Sequence, residues 1–222
     1  MASPLDLQEQ EQIEDIKHFW RRYGNAITWA LIVVLGAFAA FNGWQYWQRK
    51  QGAEAGVMYD QVEAAVQAGD LARLERALSD IKDRYAGTTF AHQAALLAAR
   101  TFYEKGKADA AKASLAWVVE KTGDDGLRAV ARLRLAALAL EAKAYDEALS
   151  YLASGIPASF AGLAHDRRGD IYLAQGKPAE ARAEYRKAYD VIEESVEYRR
   201  LVEIKLNALG VDVSGSSVEV KK

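Results

Sequence analysis

The fold of this chain is decided by the stretch Gly176-Lys177-Pro178-Ala179-Glu180-Ala181, because an earlier stretch has the same pattern, Gly106-Lys107-Ala108-Asp109-Ala110-Ala111. A weaker copy lies between the two, Ala144-Tyr145-Asp146-Glu147-Ala148. The anchoring alanines of the three copies are 37 and 33 residues apart, at Ala111, Ala148 and Ala181. Self-similarity at such a period is typical of stacked structural repeats.

The sequence around these copies predicts helices. Apolar residues recur at spacings of three and four, as in Leu71, Leu74, Leu78 and Ile81, and glycine-rich breakers separate the runs. This pattern is typical of short amphipathic helices joined by short turns. No stretch before the tail alternates as a half-buried strand does, so we expect an all-α fold built from helix hairpins.

The repeat resembles the tetratricopeptide repeat, a helix–turn–helix unit of about 34 residues. Its best copy has small and aromatic residues at the spacing of that family: Gly169, Tyr172, Gly176, Ala181, Tyr185 and Ala188. We expect Gly169 and Ala181 to let the two helices of one hairpin approach closely. Tyr172 and Tyr185 are expected to fill the space against the neighbouring hairpin. Pro178 suits the first turn of a helix, where an N–H group has no partner in any case.

A second feature, near the N-terminus, predicts a transmembrane helix at residues 23–48. The run from Tyr23 to Gln48 has no charge, and basic pairs stand on both sides of it, at Arg21-Arg22 and Arg49-Lys50. A helix of about 20 apolar residues crosses the hydrocarbon core of a bilayer. Four of the five tryptophans lie in or beside this run, as expected for rings at the headgroup level: Trp20, Trp29, Trp44 and Trp47.

A cleaved signal peptide is the alternative interpretation of this run, because Ala37-Phe38-Ala39 fits the cleavage pattern. That site lies inside the apolar run, however, and the run is preceded by an arm of 22 residues that contains five acids. We therefore expect an uncleaved anchor. Three basic residues precede the span and two follow it closely, which favours a cytoplasmic N-terminus. The arm, with Ile13, Ile16 and Trp20 on one face, could lie on the membrane or contact a protein.

The remaining composition argues against several functions. The net charge of −2 arises in the first 22 residues, and the rest of the chain is neutral, so nothing indicates nucleic-acid binding. There are no cysteines, and the three histidines are scattered without metal-ligand spacing. No phosphate-binding loop or nucleophile motif is present. The sequence predicts no enzyme, and it offers no catalytic, metal-binding or cofactor-binding residue.

The span carries one further pattern, a stripe of small residues at Gly36, Ala40 and Gly43. Small residues let two membrane helices approach closely, so this stripe is a hypothesis for packing against a partner helix.

The chain as a whole resembles the YfgM family of ancillary subunits of the SecYEG translocon. The resemblance is carried, in order, by Ile16-Lys17-His18-Phe19-Trp20, Tyr23-Gly24-Asn25-Ala26, Gly43-Trp44-Gln45-Tyr46-Trp47, Tyr85-Ala86, Asp166-Arg167-Arg168-Gly169-Asp170 and Lys205-Leu206-Asn207. It implies a bacterial inner-membrane protein with a periplasmic tetratricopeptide-like domain. The partners that it implies are the translocon, a membrane-anchored periplasmic chaperone of the prolyl-isomerase-like type, and secreted client proteins.

We therefore expect four segments: a cytoplasmic acidic, amphipathic arm at residues 1–22, the transmembrane helix at 23–48, the periplasmic repeat domain at 49–209 and a flexible tail at 210–222. The expected function is non-enzymatic, with no cofactor. The alternative from another class is a membrane-tethered scaffold that organises an envelope or cell-division complex without handling clients.

Overall fold

The computed structural model describes residues 7–213, and side chains from residue 12 onward. Within this range every regular element is helical. The helices are α1 Leu7–Gln67, α2 Leu71–Tyr85, α3 Thr89–Glu104, α4 Ala108–Lys121, α5 Asp125–Glu141, α6 Tyr145–Leu152, α7 Ala161–Ala174, α8 Pro178–Val191 and α9 Glu197–Ala208, with a 3-10 turn at Ala158–Phe160 before α7. The predicted all-α fold is confirmed. The chain divides by its contacts into two compact units, one ending at Gln51 and the other beginning at Gly52.

Helix α1 contains the predicted span and is longer than predicted, with 61 residues. Neither Arg49-Lys50 nor Gly52 ends it, because alanine, glutamate and glutamine follow at once and there is no proline to interrupt the backbone hydrogen bonds. Only 6% of its most apolar window is buried, so it is not the core helix of a soluble domain. By length and composition it can cross a membrane.

The second unit repeats one turn geometry along its length. Among its described residues, six have a left-handed backbone conformation. Five of these close the ends of helices at intervals of 33 to 37 residues: Gly69, Gly106, Lys143, Gly176 and Gly210. The sixth is Gly155. At each of the five turns the left-handed residue's N–H donates to the carbonyl three residues back, and the next N–H donates to the carbonyl five residues back. This is the Schellman motif, which satisfies the last carbonyls of a helix.

The turns put the first hairpin in register with the other three. The residue five positions after each turn is fully buried in all four hairpins: Leu74, Ala111, Ala148 and Ala181. Leucine replaces the small residue in the first hairpin, and for this reason the sequence around Val62 to Ile81 hardly shows the repeat. Side-chain N-caps start three of the helices, since Asp70, Thr88 and Asp124 accept hydrogen bonds from N–H groups of α2, α3 and α5.

The sequence predicts a final capping helix from Tyr198 to Leu209, with Leu201, Ile204 and Ala208 on one stripe. The stripe of Leu201, Ile204 and Ala208 faces outward, while Val202 and Leu206 carry the buried face of α9. Val213 is fully buried against the same core, because an apolar side chain after the last turn can cover the end of the stack. The packed region therefore extends past the predicted boundary at residue 209 to residue 213, and residues 214–222 of the predicted tail lie outside the described residues.

Candidate partner-binding surfaces

Gly169 of α7 packs closely against Tyr185 of α8 in the second unit. A methyl group at Gly169 would lie 2.9 Å from Cζ of Tyr185 and nearer still to Cδ1 and Cε1. The tyrosine ring is 1% exposed, and its hydroxyl donates to Asp170 at 2.8 Å. Burial, and then this hydrogen bond, raises the pKa of Tyr185 above its usual range. The ring is thus fixed in place, and only glycine fits beneath it.

The other predicted packing residues lie along the same stack. Tyr172 is half-buried against the C-terminal core, with the Lys177 ammonium 6.0 Å from its ring centre, and Ala188 is fully buried there. Ala111 belongs to the N-terminal core and Ala148 to the middle core. These residues hold the hairpins of the stack together.

A buried ionic network, which the pattern of residues did not predict, joins α7 to α9. Asp166 is 1% exposed, and Lys205 of α9 donates to both of its carboxylate oxygens at 2.8 Å. The Tyr198 hydroxyl donates to the same carboxylate at 2.6 Å, and Lys205 also reaches Asp170 at 2.7 Å. Burial and this hydrogen bond raise the pKa of Tyr198. Because a buried charge is tolerated only when it is paired, the network fixes α9 against α7.

A cleft of about 350 Å³ lies between α3, α4 and α5 in this unit. Small and aliphatic side chains form its floor: Ala99, Ala111, Leu115, Ala137 and Leu138. Its rim is polar, since the Tyr103 hydroxyl donates to Glu141 at 2.7 Å and the Arg134 guanidinium donates to the Leu96 carbonyl at 3.0 Å. Burial, and then the neighbouring charge of Arg100, lowers the pKa of Arg134. The cleft therefore combines an apolar floor with hydrogen-bond donors, as peptide-binding sites do.

Among the residues whose side chains are described, no group of three His, Asp or Glu comes together as a metal site. His165 contacts Glu184 at 2.7 Å, but Lys187 and Arg168 approach the same carboxylate, which makes this an ion-pair cluster.

The first unit offers a different surface, the outside of the membrane helix. Two polar side chains inside it donate to their own helix, Thr28 to the Gly24 carbonyl and Asn42 to the Phe38 carbonyl, both at 2.8 Å. The described structure leaves open space around Gly36 and Gly43, with nothing within 4 Å of a methyl group at either position. Ala40 lies exposed between them. Contact of this stripe with a partner helix stays a prediction.

Comparison with known proteins is informative over nearly the whole chain. A family described as a tetratricopeptide repeat-like domain matches residues 17–211. A protein of Neisseria gonorrhoeae named ancillary SecYEG translocon subunit is 30% identical over 207 residues, which are 91% of this chain and 98% of the relative. Proteins of the same name from Escherichia coli and Haemophilus influenzae are 29% and 28% identical, over 79% and 82% of this chain and 84% and 89% of the relatives.

The hairpin stack and these comparisons define a membrane-associated protein of the tetratricopeptide repeat-like class, a class of scaffolds. The chain belongs to the family of ancillary SecYEG translocon subunits, as the resemblance predicted. Its relatives, and the one apolar helix of sufficient length among residues 12–213, indicate a single-pass inner-membrane protein.

Proposed function

We propose that this protein is a non-enzymatic ancillary subunit of the inner-membrane protein translocon, anchored by residues 23–48. The observation that carries the proposal is the similarity to relatives of that name over almost the full length of both chains. The bound partners would be the SecYEG translocon itself, a membrane-anchored periplasmic chaperone of the prolyl-isomerase-like type, and secreted proteins that emerge from the channel.

The proposed orientation puts the N-terminal arm in the cytoplasm and residues 49–222 in the periplasm. It is supported by the three basic residues before the span and the two that follow it closely. A cytoplasm-specific fluorescent reporter fused after Lys222 should stay dark, and alkaline phosphatase at the same position should be active. The opposite pair of results would reverse the orientation.

Client binding is assigned to the cleft between α3, α4 and α5. Its apolar floor suits the side chains of an unfolded segment, and Arg134 and Arg100 can donate hydrogen bonds to the backbone carbonyls of an extended peptide. The test compares Ala137→Trp, which fills the cleft, with Ala116→Trp on the exposed side of α4. Only the first should reduce cross-linking to arrested secretory chains, and equal cross-linking by both variants would exclude the cleft.

Purification from membranes in mild detergent tests the whole proposal. Translocon subunits and unfolded secretory proteins in the bound fraction support it. Cell-wall synthesis or division proteins in their place would favour the scaffold that organises an envelope complex.

A further inference from the structure

Residues 7–22 of the N-terminal arm are part of the same helix as the span. Within the first unit the helical hydrogen bonds continue through the junction at Tyr23, with no turn and no proline. An arm that lay on the membrane surface would have to bend by about a right angle there, and a bend of that size interrupts a helix. The arm therefore extends away from the bilayer, by about 24 Å at 1.5 Å per residue.

From Ile13 to Tyr23 one face of this helix is apolar, and that face has no partner in the described structure. Ile16, Phe19 and Trp20 are 67%, 54% and 59% exposed. With 100° per residue, these side chains, Ile13 and Tyr23 fall within a sector of about 120°. The rings of Phe19 and Tyr23 are 5.1 Å apart, so the face is a preformed aromatic cluster.

All charged residues from Glu14 to Arg22 lie outside that sector, and their signs are separated along the helix. The basic residues Lys17, Arg21 and Arg22 are nearest the membrane, where lipid phosphates can pair with them. The acidic residues Glu14 and Asp15 stand farther out. An anionic lipid surface would repel these acids, whereas a basic protein surface would attract them.

We propose that the arm is a docking helix that binds an apolar groove on a partner protein. Lysine or arginine side chains would stand on the rim of that groove. The groove would lie within about 24 Å of the membrane on the side of the N-terminus. An amphipathic helix in such a groove is a common mode of recognition, and it would bury the aromatic cluster. The identity of the partner rests on the proposed function, which makes the groove part of the translocon.

The experiment uses the full chain and purified SecYEG reconstituted in the same vesicles, with binding followed by energy transfer. Ile16→Asp puts a carboxylate in the apolar face, and His18→Asp adds the same charge on the opposite face. We expect Ile16→Asp to weaken binding about 30-fold, as for the loss of an interface hot spot, and His18→Asp to bind like the wild type. Replacing Glu14 and Asp15 by lysine should also weaken binding, most strongly at low salt.

The outcomes separate the two proposals. If the wild-type chain does not bind SecYEG, both the proposed function and the docking helix are wrong. If the wild type binds and Ile16→Asp binds equally well, only the docking helix is overturned.

A second measurement tests whether the arm lies on the membrane instead of binding a protein. Because the chain has no cysteine, Ile16→Cys can carry a single spin label in vesicles that contain this protein alone. We expect the label to be accessible to water-soluble relaxation agents. Burial of the label in lipid would show that the arm lies on the membrane and would overturn the proposal.

Discussion

Replacing Gly169 by alanine should destabilise the second unit, although alanine is the better helix former. The added methyl group would come within 3.0 Å of three ring atoms of Tyr185, a separation that real side chains do not tolerate. The ring cannot turn aside easily, since it is buried, its hydroxyl donates to Asp170 and the Lys205 ammonium lies 5.2 Å from its centre.

The size of the effect follows from two opposing contributions. Overpacking a core in this way costs about 1–3 kcal/mol. Glycine to alanine within a helix gains about 0.8–1.0 kcal/mol from propensity alone. Gly56→Ala is the matched control, because a methyl group there makes ordinary contact with Phe90, at 3.6 Å. The propensity gain is common to both variants, so the difference between them isolates the overpacking.

The assay is thermal unfolding of residues 49–222, which contain the whole second unit. A difference of 1–3 kcal/mol corresponds to a melting temperature about 2–12 °C lower for Gly169→Ala than for Gly56→Ala, given about 2–4 °C per kcal/mol at this size. Gly169→Leu should be lower still. In the background of Tyr185→Leu, Gly169→Ala should lose most of its effect. If Gly169→Ala melts as high as Gly56→Ala, the close packing inferred here is wrong.

Three further outcomes are expected. Gly36→Leu with Gly43→Leu should leave membrane insertion intact and weaken co-purification with the translocon, and equal recovery at matched expression would make the span a passive tether. Lys205→Met should destabilise residues 49–222 by on the order of 3 kcal/mol in urea unfolding, because it leaves the buried Asp166 carboxylate without its cation; no change would contradict this. Burial lowers the pKa of His92, so the unfolded chain binds more protons at this residue than the folded domain does. The domain should therefore lose stability as the pH falls through about 6.5. His92→Gln should flatten the fall in unfolding free energy measured between pH 7.5 and 5, and an unchanged slope would refute this explanation.

The sequence predicted those features that depend on local chemistry. Glycine at positions 69, 106 and 176 identifies turns because only a residue tolerant of positive φ closes the Schellman motif easily. Apolar spacing then predicts the buried face of most helices. The span is equally local, since a length of apolar chain and its flanking charges are read directly from the residues.

The rest depends on neighbours that are distant in the chain. Lys143 occupies the turn position of Gly106 and Gly176 with φ of 58°, and no local signal distinguishes it from a helical lysine. Asp166 and Lys205 pair across 39 residues, so neither residue alone indicates a buried ion pair. In α9, Leu201 and Ile204, three residues apart, face outward, while Val202 and Leu206, four residues apart, are buried, and both spacings fit one face of a helix. Apolar spacing therefore identifies a stripe of residues on a helix, but the packing of neighbouring helices decides whether that stripe is buried.

The same relation between neighbours explains why the repeat is so degenerate. Counted from the turns, Gly169 corresponds to Val62, Ala99 and Ala136, and Tyr185 corresponds to Leu78, Leu115 and Leu152. All of these positions are buried, so the four hairpins fill equivalent space with three different pairs of residue types. The fourth hairpin has the smallest residue opposite the largest, and the second and third have alanine and leucine. Selection on the summed volume of a pair leaves each residue free to vary, provided that its partner varies with it. The double variant Gly169→Ala with Tyr185→Leu recreates the pair of the second and third hairpins, which is the physical reason that it should tolerate the methyl group.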